Sequence, residues 1–220
     1  MKYRSVFDII GPVMVGPSSS HTAGAVRIGQ LARQLFGREP ERADIHFFGS
    51  FAHTYRGHAT DVAILAGVLG MGTDDPRIPR AFDIARQRGL AYAFHLQAAV
   101  PAHPNTARVD LVSGEHRISV LGVSLGGGLV QVTRVDGFEL HLSGDAPALL
   151  IFHEDAAGTI ASATRMLAQA NINISRMEVS RTERGREALM VIETDQAVPE
   201  DVTQLILAQR HIHSIVRLDV

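Results

Sequence analysis

The 220-residue chain contains no cysteine. It can form no disulfide framework and offers no thiolate to zinc, iron or an iron–sulfur cluster, so any such cluster must come from a partner. Lysine is nearly absent as well: Lys2 stands alone, and every other basic residue is arginine. One lysine at the N-terminus argues against a pyridoxal-phosphate Schiff base. It also excludes the phosphate-binding loop whose lysine reaches the β- and γ-phosphates. No apolar run approaches the roughly 18 residues of a membrane-spanning helix. Asp8 breaks the only apolar stretch near the N-terminus that could serve as a secretory signal core. A soluble, cytoplasmic protein is expected. Charge of either sign is not in excess, and a net charge of −2 leaves no electrostatic footprint for nucleic acid.

What is present is 45% hydrophobic residues, enough for one large core or two small ones. The last third has the clearest pattern. Ala148 to Phe152 reads as a buried strand, and His153 to Gly158 as a loop opening a helix with Ile160, Ala163, Leu167 and Ala170 on one face. A strand from Ile172 to about Ser180, a polar turn and a strand from Ala188 to Thr194 form a hairpin. Pro199 starts a helix carrying Val202, Leu205 and Ile206, and Ile212 to Leu218 closes as a strand. The order β-α-β-β-α-β suits a ferredoxin-like domain. Gly144-Asp145-Ala146-Pro147 has linker chemistry, which divides the chain into residues 1–145 and 146–220. The first part is also mixed: helices over Ala23–Phe36, Gly57–Leu69 and Pro79–Arg88, strands over Ile45–Phe48 and Ala91–Leu96, and strands from Ala107 to Leu142 punctuated by glycine turns. The fold class is α+β.

Four polar clusters interrupt the first domain. Gly16-Pro17-Ser18-Ser19-Ser20-His21-Thr22 precedes the first long helix. Capping that helix needs one hydroxyl, whereas three hydroxyls with free N–H groups also make a site for a carboxylate or phosphate. Gly49-Ser50 and Arg56-Gly57-His58-Ala59-Thr60-Asp61 run from a strand end into a helix start. His58 reads as a surface or capping residue, as a metal ligand with His46 or His53, or as a general base suited to proton abstraction near neutrality. His103-Pro104-Asn105-Thr106 reads as a proline-anchored turn, and Ser124-Leu125-Gly126-Gly127-Gly128 as a flexible hairpin or a loop that admits a ligand close to backbone amides. A serine nucleophile is not expected, since a histidine adjacent in sequence need not reach its neighbour's hydroxyl. Together the clusters point to a small anionic or zwitterionic ligand.

In this order, the four clusters resemble the β chain of the iron–sulfur-dependent L-serine dehydratases, and the segment from about Ala148 resembles an ACT domain. The pattern has glycine where this chain has Ala59. The resemblance implies dehydration of L-serine to aminoacrylate and thence to pyruvate and ammonia, a step in amino-acid degradation toward gluconeogenesis. It implies a 4Fe-4S cluster ligated by a separate alpha chain and acting as Lewis acid on the leaving hydroxyl, with no PLP. By the same resemblance His58 is the base near the Cα proton, positioned by Thr60 and Asp61. Ser18, Ser19, Ser20, His21 and Thr22 then line the substrate site or its interface with the alpha chain, supported by Asn105, Ser124, Gly126, Gly127 and Gly128. In the ACT segment, Asp155 and Gly158 take effector-loop positions, and Asn171 to Ile174 form a strand that pairs with a second ACT domain. A homodimer through residues 148–220, with one face of Ile212–Leu218 free, is expected. Two competing readings are a purely regulatory amino-acid-binding subunit with all chemistry on its partner, and a zinc-dependent hydrolase using histidines and Asp61.

Overall fold

A computed structural model describes residues 13–219, so the reading of Met1–Asp8 lies outside the described residues. The chain divides into two compact units between Asp136 and Gly137.

In the first unit, a π-helical turn, Ser19–Ala23, runs into α1 (Gly24–Phe36). Ala25, Ile28, Ala32 and Leu35 repeat at helical spacing and are buried. Gly37, at φ 73°, ends the helix by donating its N–H to the Arg33 and Gln34 carbonyls. Next come β1 (Arg42–Phe48), α2 (Gly49–Thr54), α3 (Thr60–Val68), a 3-10 turn at Ile78–Arg80, α4 (Ala81–Gln87) and β2 (Ala91–Leu96). Three antiparallel strands follow: β3 (Asn105–Ser113), β4 (His116–Gly126) and β5 (Leu129–Val135). Across the sheet these run β2-β1-β3-β4-β5, with β1 parallel to β2 and antiparallel to β3. β1 alternates, turning Ala43, Ile45 and Phe47 inward.

α3 has no polar face beyond its first turn, and Ala63 to Val68 are all buried. It crosses α1 at backbone contact: a Cβ on Gly67 would stand 2.0 Å from the Val26 carbonyl, and one on Gly29 2.2 Å from that of Ile64. The helix expected over Gly57–Leu69 is α3 alone and starts later, at Thr60, because Ala59 takes the left-handed conformation (φ 54°, ψ 33°) at its N-cap.

The second unit begins with β6 (Phe138–Leu142) and continues with β7 (Ala148–Glu154), α5 (Thr159–Gln169), β8 (Ile174–Arg181), β9 (Glu187–Thr194), α6 (Glu200–Leu207) and β10 (Ile212–Leu218). From β7 onward the order is βαββαβ, in an antiparallel sheet β10-β7-β9-β8. Leu149, Ile151, Met190 and Ile192 bury one face of that sheet against Ala163, Leu167 and Ile206 of the helices. Ile160 and Leu205, read from spacing as core-facing, are 39% and 55% exposed; Met166 packs inward instead. Ala170 is exposed too, because α5 ends at Gln169.

Within the second unit, β6 is fastened to β8. The Glu178 carboxylate accepts the His141 N–H at 3.0 Å, and Arg176 donates to the His141 carbonyl at 2.7 Å. No described helix is long and apolar enough to cross a membrane.

Candidate functional site

The serine cluster folds as its composition dictates. Ser18 is extended (φ −140°), and its Oγ accepts the His21 N–H at 3.1 Å, an N-cap. Its carbonyl takes both the Thr22 and Ala23 N–H groups, at 2.9 and 3.2 Å, which widens the first turn into a π-turn. β4 pins that turn: the fully buried Ser124 donates its hydroxyl to the Ser20 carbonyl at 2.9 Å. Gly24 is required beside it, since a Cβ there would lie 2.1 Å from Ser124 Oγ. Gly122-Val123-Ser124-Leu125-Gly126 has the Gly-x-Ser-x-Gly spacing of a nucleophile elbow. It lies inside a strand rather than at a strand-to-helix turn, and Ser124's hydroxyl is committed to a carbonyl.

His21 reaches outward from this turn. Its Nε2 is 3.1 Å from Ser50 Oγ, and its ring lies 4.8 Å from the His58 ring and edge-on to Phe51 at 5.2 Å. Burial, and then the neighbouring His58, hold the His21 imidazole below its ordinary pKa, favouring the neutral form. Thr22, itself buried, donates to the His58 carbonyl at 3.3 Å. The His58 side chain is exposed.

Ser50 is held by its N–H bond to the Pro104 carbonyl, 2.7 Å, and Gly49 bridges Asn105, so the His103–Thr106 turn abuts the same place. The Gly126-Gly127-Gly128 turn has positive φ throughout, lies beside Ser20, and is tied to α1 by Arg27, which donates to the Gly128 carbonyl at 3.1 Å. Ser18 to Thr22, Ser50, His58, Asn105, Ser124 and Gly126 to Gly128 therefore converge, although Ser124 serves through Ser20 rather than from an open face.

Thr60 and Asp61 do not join the His58 ring. Thr60 is fully buried and its Oγ1 has no hydrogen-bond partner. Asp61 accepts the Val62 N–H at 2.9 Å, and burial raises its carboxyl above the ordinary range. His46 is engaged elsewhere, stacked on His95 at 4.5 Å and bonded to Gln97 at 2.9 Å and Arg108 at 3.0 Å. Among the described residues, no group of three or more His, Asp or Glu is placed to hold a metal ion.

In the second unit Asp155 fastens the β8–β9 turn. Its carboxylate accepts the Gly185 N–H at 2.9 Å and a bond from Arg181 at 3.0 Å, which hold it below its ordinary pKa. Gly158 (φ 93°) opens α5 without a side-chain cap. Asn171 is left-handed (φ 56°), accepts from Gln196 at 3.2 Å and precedes β8, whose first residue, Ile174, packs on the core. Two residues named in the sequence reading were given no role there. Ser50 is one, noted only as the hydroxyl following a strand-end glycine. The other is His153, 2% exposed, with Nδ1 2.8 Å from the Glu154 carbonyl and Nε2 buried without a partner. Its signal was an imidazole ending an apolar strand two residues before Asp155.

Residues 5–88 match the family model "Serine dehydratase beta chain", and residues 148–211 match "ACT domain". The chain is 54% identical to the probable L-serine dehydratase, beta chain, of Bacillus subtilis, over 92% of each chain. It is 32% identical to the L-serine dehydratase, beta chain, of Peptoniphilus asaccharolyticus, again over 92% of each. A more distant likeness, 23% identity, joins 89% of this chain to 37% of a Bacillus subtilis D-3-phosphoglycerate dehydrogenase. With both chains matched nearly end to end, this chain belongs to the L-serine dehydratase beta-chain family and carries an ACT domain.

Proposed function

We propose that this chain is the substrate-handling half of a two-chain L-serine dehydratase, converting L-serine to pyruvate and ammonia in the cytoplasm. The observation that carries the reading is the meeting of the Ser18–His21 turn with an exposed His58 at the start of α1. Helix-start N–H groups and the Ser19 and Ser20 hydroxyls suit the substrate carboxylate. His58 then takes the Cα proton, the Cβ–O bond breaks and the departing hydroxide takes up a proton to leave as water, giving aminoacrylate, which hydrolyses. His21, kept neutral by burial and placed by Ser50, fixes the His58 ring without adding a second positive charge.

This chain has no thiolate and, among its described residues, no three-ligand group, so its residues do not fit a 4Fe-4S cluster. In this reading the cluster and its care of the leaving hydroxyl belong to the alpha chain. The ACT unit takes an amino-acid effector at the loop from His153 to Gly158, where Asp155 and an unpaired imidazole nitrogen lie together, with Asn171 and Ile174 at the adjoining strand start. It pairs with a second copy through its outer strands, β8 and β10.

The likeness to a D-3-phosphoglycerate dehydrogenase favours a second reading, because nearly the whole chain recurs as a third of an enzyme of another name. A regulatory subunit would behave so. His58→Gln in the assembled enzyme separates the two. The catalytic reading expects kcat to fall about 10²–10⁴-fold with the alpha–beta complex intact; near-normal kcat would leave the regulatory reading.

A further inference from the structure

Five stretches of eleven or more described residues in the first unit contain no Lys, Arg, Asp or Glu; residues 62–73 are mostly the buried helix α3, and the other four are 13–26, 45–55, 89–107 and 118–133. Topology brings those four together. The C-terminal ends of β1, β2 and β4 and the N-terminal ends of β3 and β5 lie along one end of the sheet. The Ser18–Thr22 turn is fastened to that same end by Ser124. The opposite ends of the strands carry Glu41, Arg42, Arg88, Glu115, Arg117 and Asp136. Charge is thus concentrated at the far ends of the strands; at the site end it is confined to Arg27, committed to the Gly128 carbonyl, and to Arg56 and Asp61 beside His58.

That end also exposes apolar side chains the fold does not use. Leu96 closes β2 at 54% exposure, Val100 stands in the β2–β3 segment at 95%, and Leu125 and Leu129 flank the glycine turn at 51% and 44%. Apart from Val13, they are the large apolar side chains this unit exposes among the described residues. One exposed leucine means nothing; four around a charge-depleted end have the character of an interface core.

Resting on the function proposed above, we propose that this end, rimmed by Leu96, Val100, Leu125 and Leu129, is the surface on which the alpha chain docks, closing over Ser18–His21 and His58. The occupant follows from what the site has and lacks. It offers hydroxyls and imidazoles but no thiolate, and a second copy of this chain would bring no thiolate either. The rim, whose one nearby guanidinium, Arg27, is committed to the Gly128 carbonyl, matches a largely apolar partner surface rather than an acidic or basic one.

The test uses the full chain mixed with purified alpha chain, measuring Kd by sedimentation for wild type, Val100→Glu, Leu125→Glu and, in the second unit, Leu205→Glu. Each rim variant is expected to weaken binding at least about tenfold, the loss of one interface anchor, with Leu205→Glu unchanged. Thermal melting of each isolated chain separates lost docking from misfolding, and Val100, outside every strand, keeps a folded variant in hand. Rim variants that melt and bind like wild type overturn the surface and leave the two-chain reading standing. A wild-type chain that does not bind the alpha chain at all overturns both.

Discussion

Each unit sets a helix start beside the end of a sheet with a histidine at hand, and the two furnish that place in opposite ways. In the first unit the residues come from segments spread from Ser18 to Gly128, and they satisfy one another: Ser18 caps, Ser124 holds Ser20, and His21 meets Ser50. In the second, one loop from His153 to Gly158 supplies nearly everything, α5 has no side-chain cap, and the His153 Nε2 meets nothing. A site assembled from distant segments depends on how closely its helices and strands approach. A site carried on one loop needs little from the rest of its unit, but it leaves a polar atom whose partner must come from elsewhere.

The largest effect is therefore expected where the first unit's helices touch. α1 begins at the serine turn and α3 begins just after His58, so their crossing sets the separation of the two. A Cβ on Gly67 would fall 2.0 Å from the Val26 carbonyl and 2.7 Å from the Gln30 N, both backbone atoms that cannot swing aside. Gly67→Ala should cost about 3 kcal/mol in urea denaturation, at the upper end of overpacking penalties. A variant as stable as wild type would show that the helices separate freely and that their contact does not hold the site.

The same contrast governs what could be read without a structure. The βαββαβ order was legible because its strands are short apolar or alternating runs bounded by turn residues, and Ile212–Leu218 begins and ends where the pattern places it. The serine cluster was legible for a similar reason, being local chemistry at a helix start. Its partners were not, since nothing in Gly49-Ser50 announces a bond to an imidazole 29 residues away. Helix faces failed at their margins. Ile160 shares helical spacing with Ala163 and Leu167, but the inward face of α5 runs through Thr159, Ala163, Met166 and Leu167, which leaves Ile160 at its margin. The break at Ala59 was hidden because alanine favours helix, and only the tertiary demand on either side holds it left-handed.

His153 sharpens the comparison from the second unit. Removing a buried, unpaired ring nitrogen with a side chain of similar volume eliminates a desolvation penalty, and the Glu154 carbonyl keeps its bond from the Ala156 N–H at 2.8 Å. His153→Leu should raise stability by about 1 kcal/mol while abolishing any response to an amino-acid effector. In the first unit, His21→Leu should lower stability, because it strips Ser50 Oγ of its partner. A destabilised His153→Leu protein would mean that its nitrogen is satisfied by a buried water, and the two histidines would then be alike.

The smallest effect concerns Ala59, between α2 and α3. A left-handed conformation costs a residue with a Cβ about 1–2 kcal/mol, and glycine escapes that cost. Against this, glycine frees the unfolded chain and loses about 0.4–1 kcal/mol. The difference leaves Ala59→Gly more stable by about 0.5 kcal/mol, read as a higher urea midpoint at unchanged slope. The sign follows from where the strain lies. Ala59 is forced left-handed because the Thr60 N–H must reach the Tyr55 carbonyl, 2.7 Å away, while Thr22 bonds the His58 carbonyl. The backbone on both sides is thus fixed by its neighbours, and position 59 absorbs the turn. A lower midpoint in Ala59→Gly would mean that the methyl group contributes packing worth more than the strain, and that the break beside His58 is held by side-chain contact rather than by the hydrogen bonds flanking it.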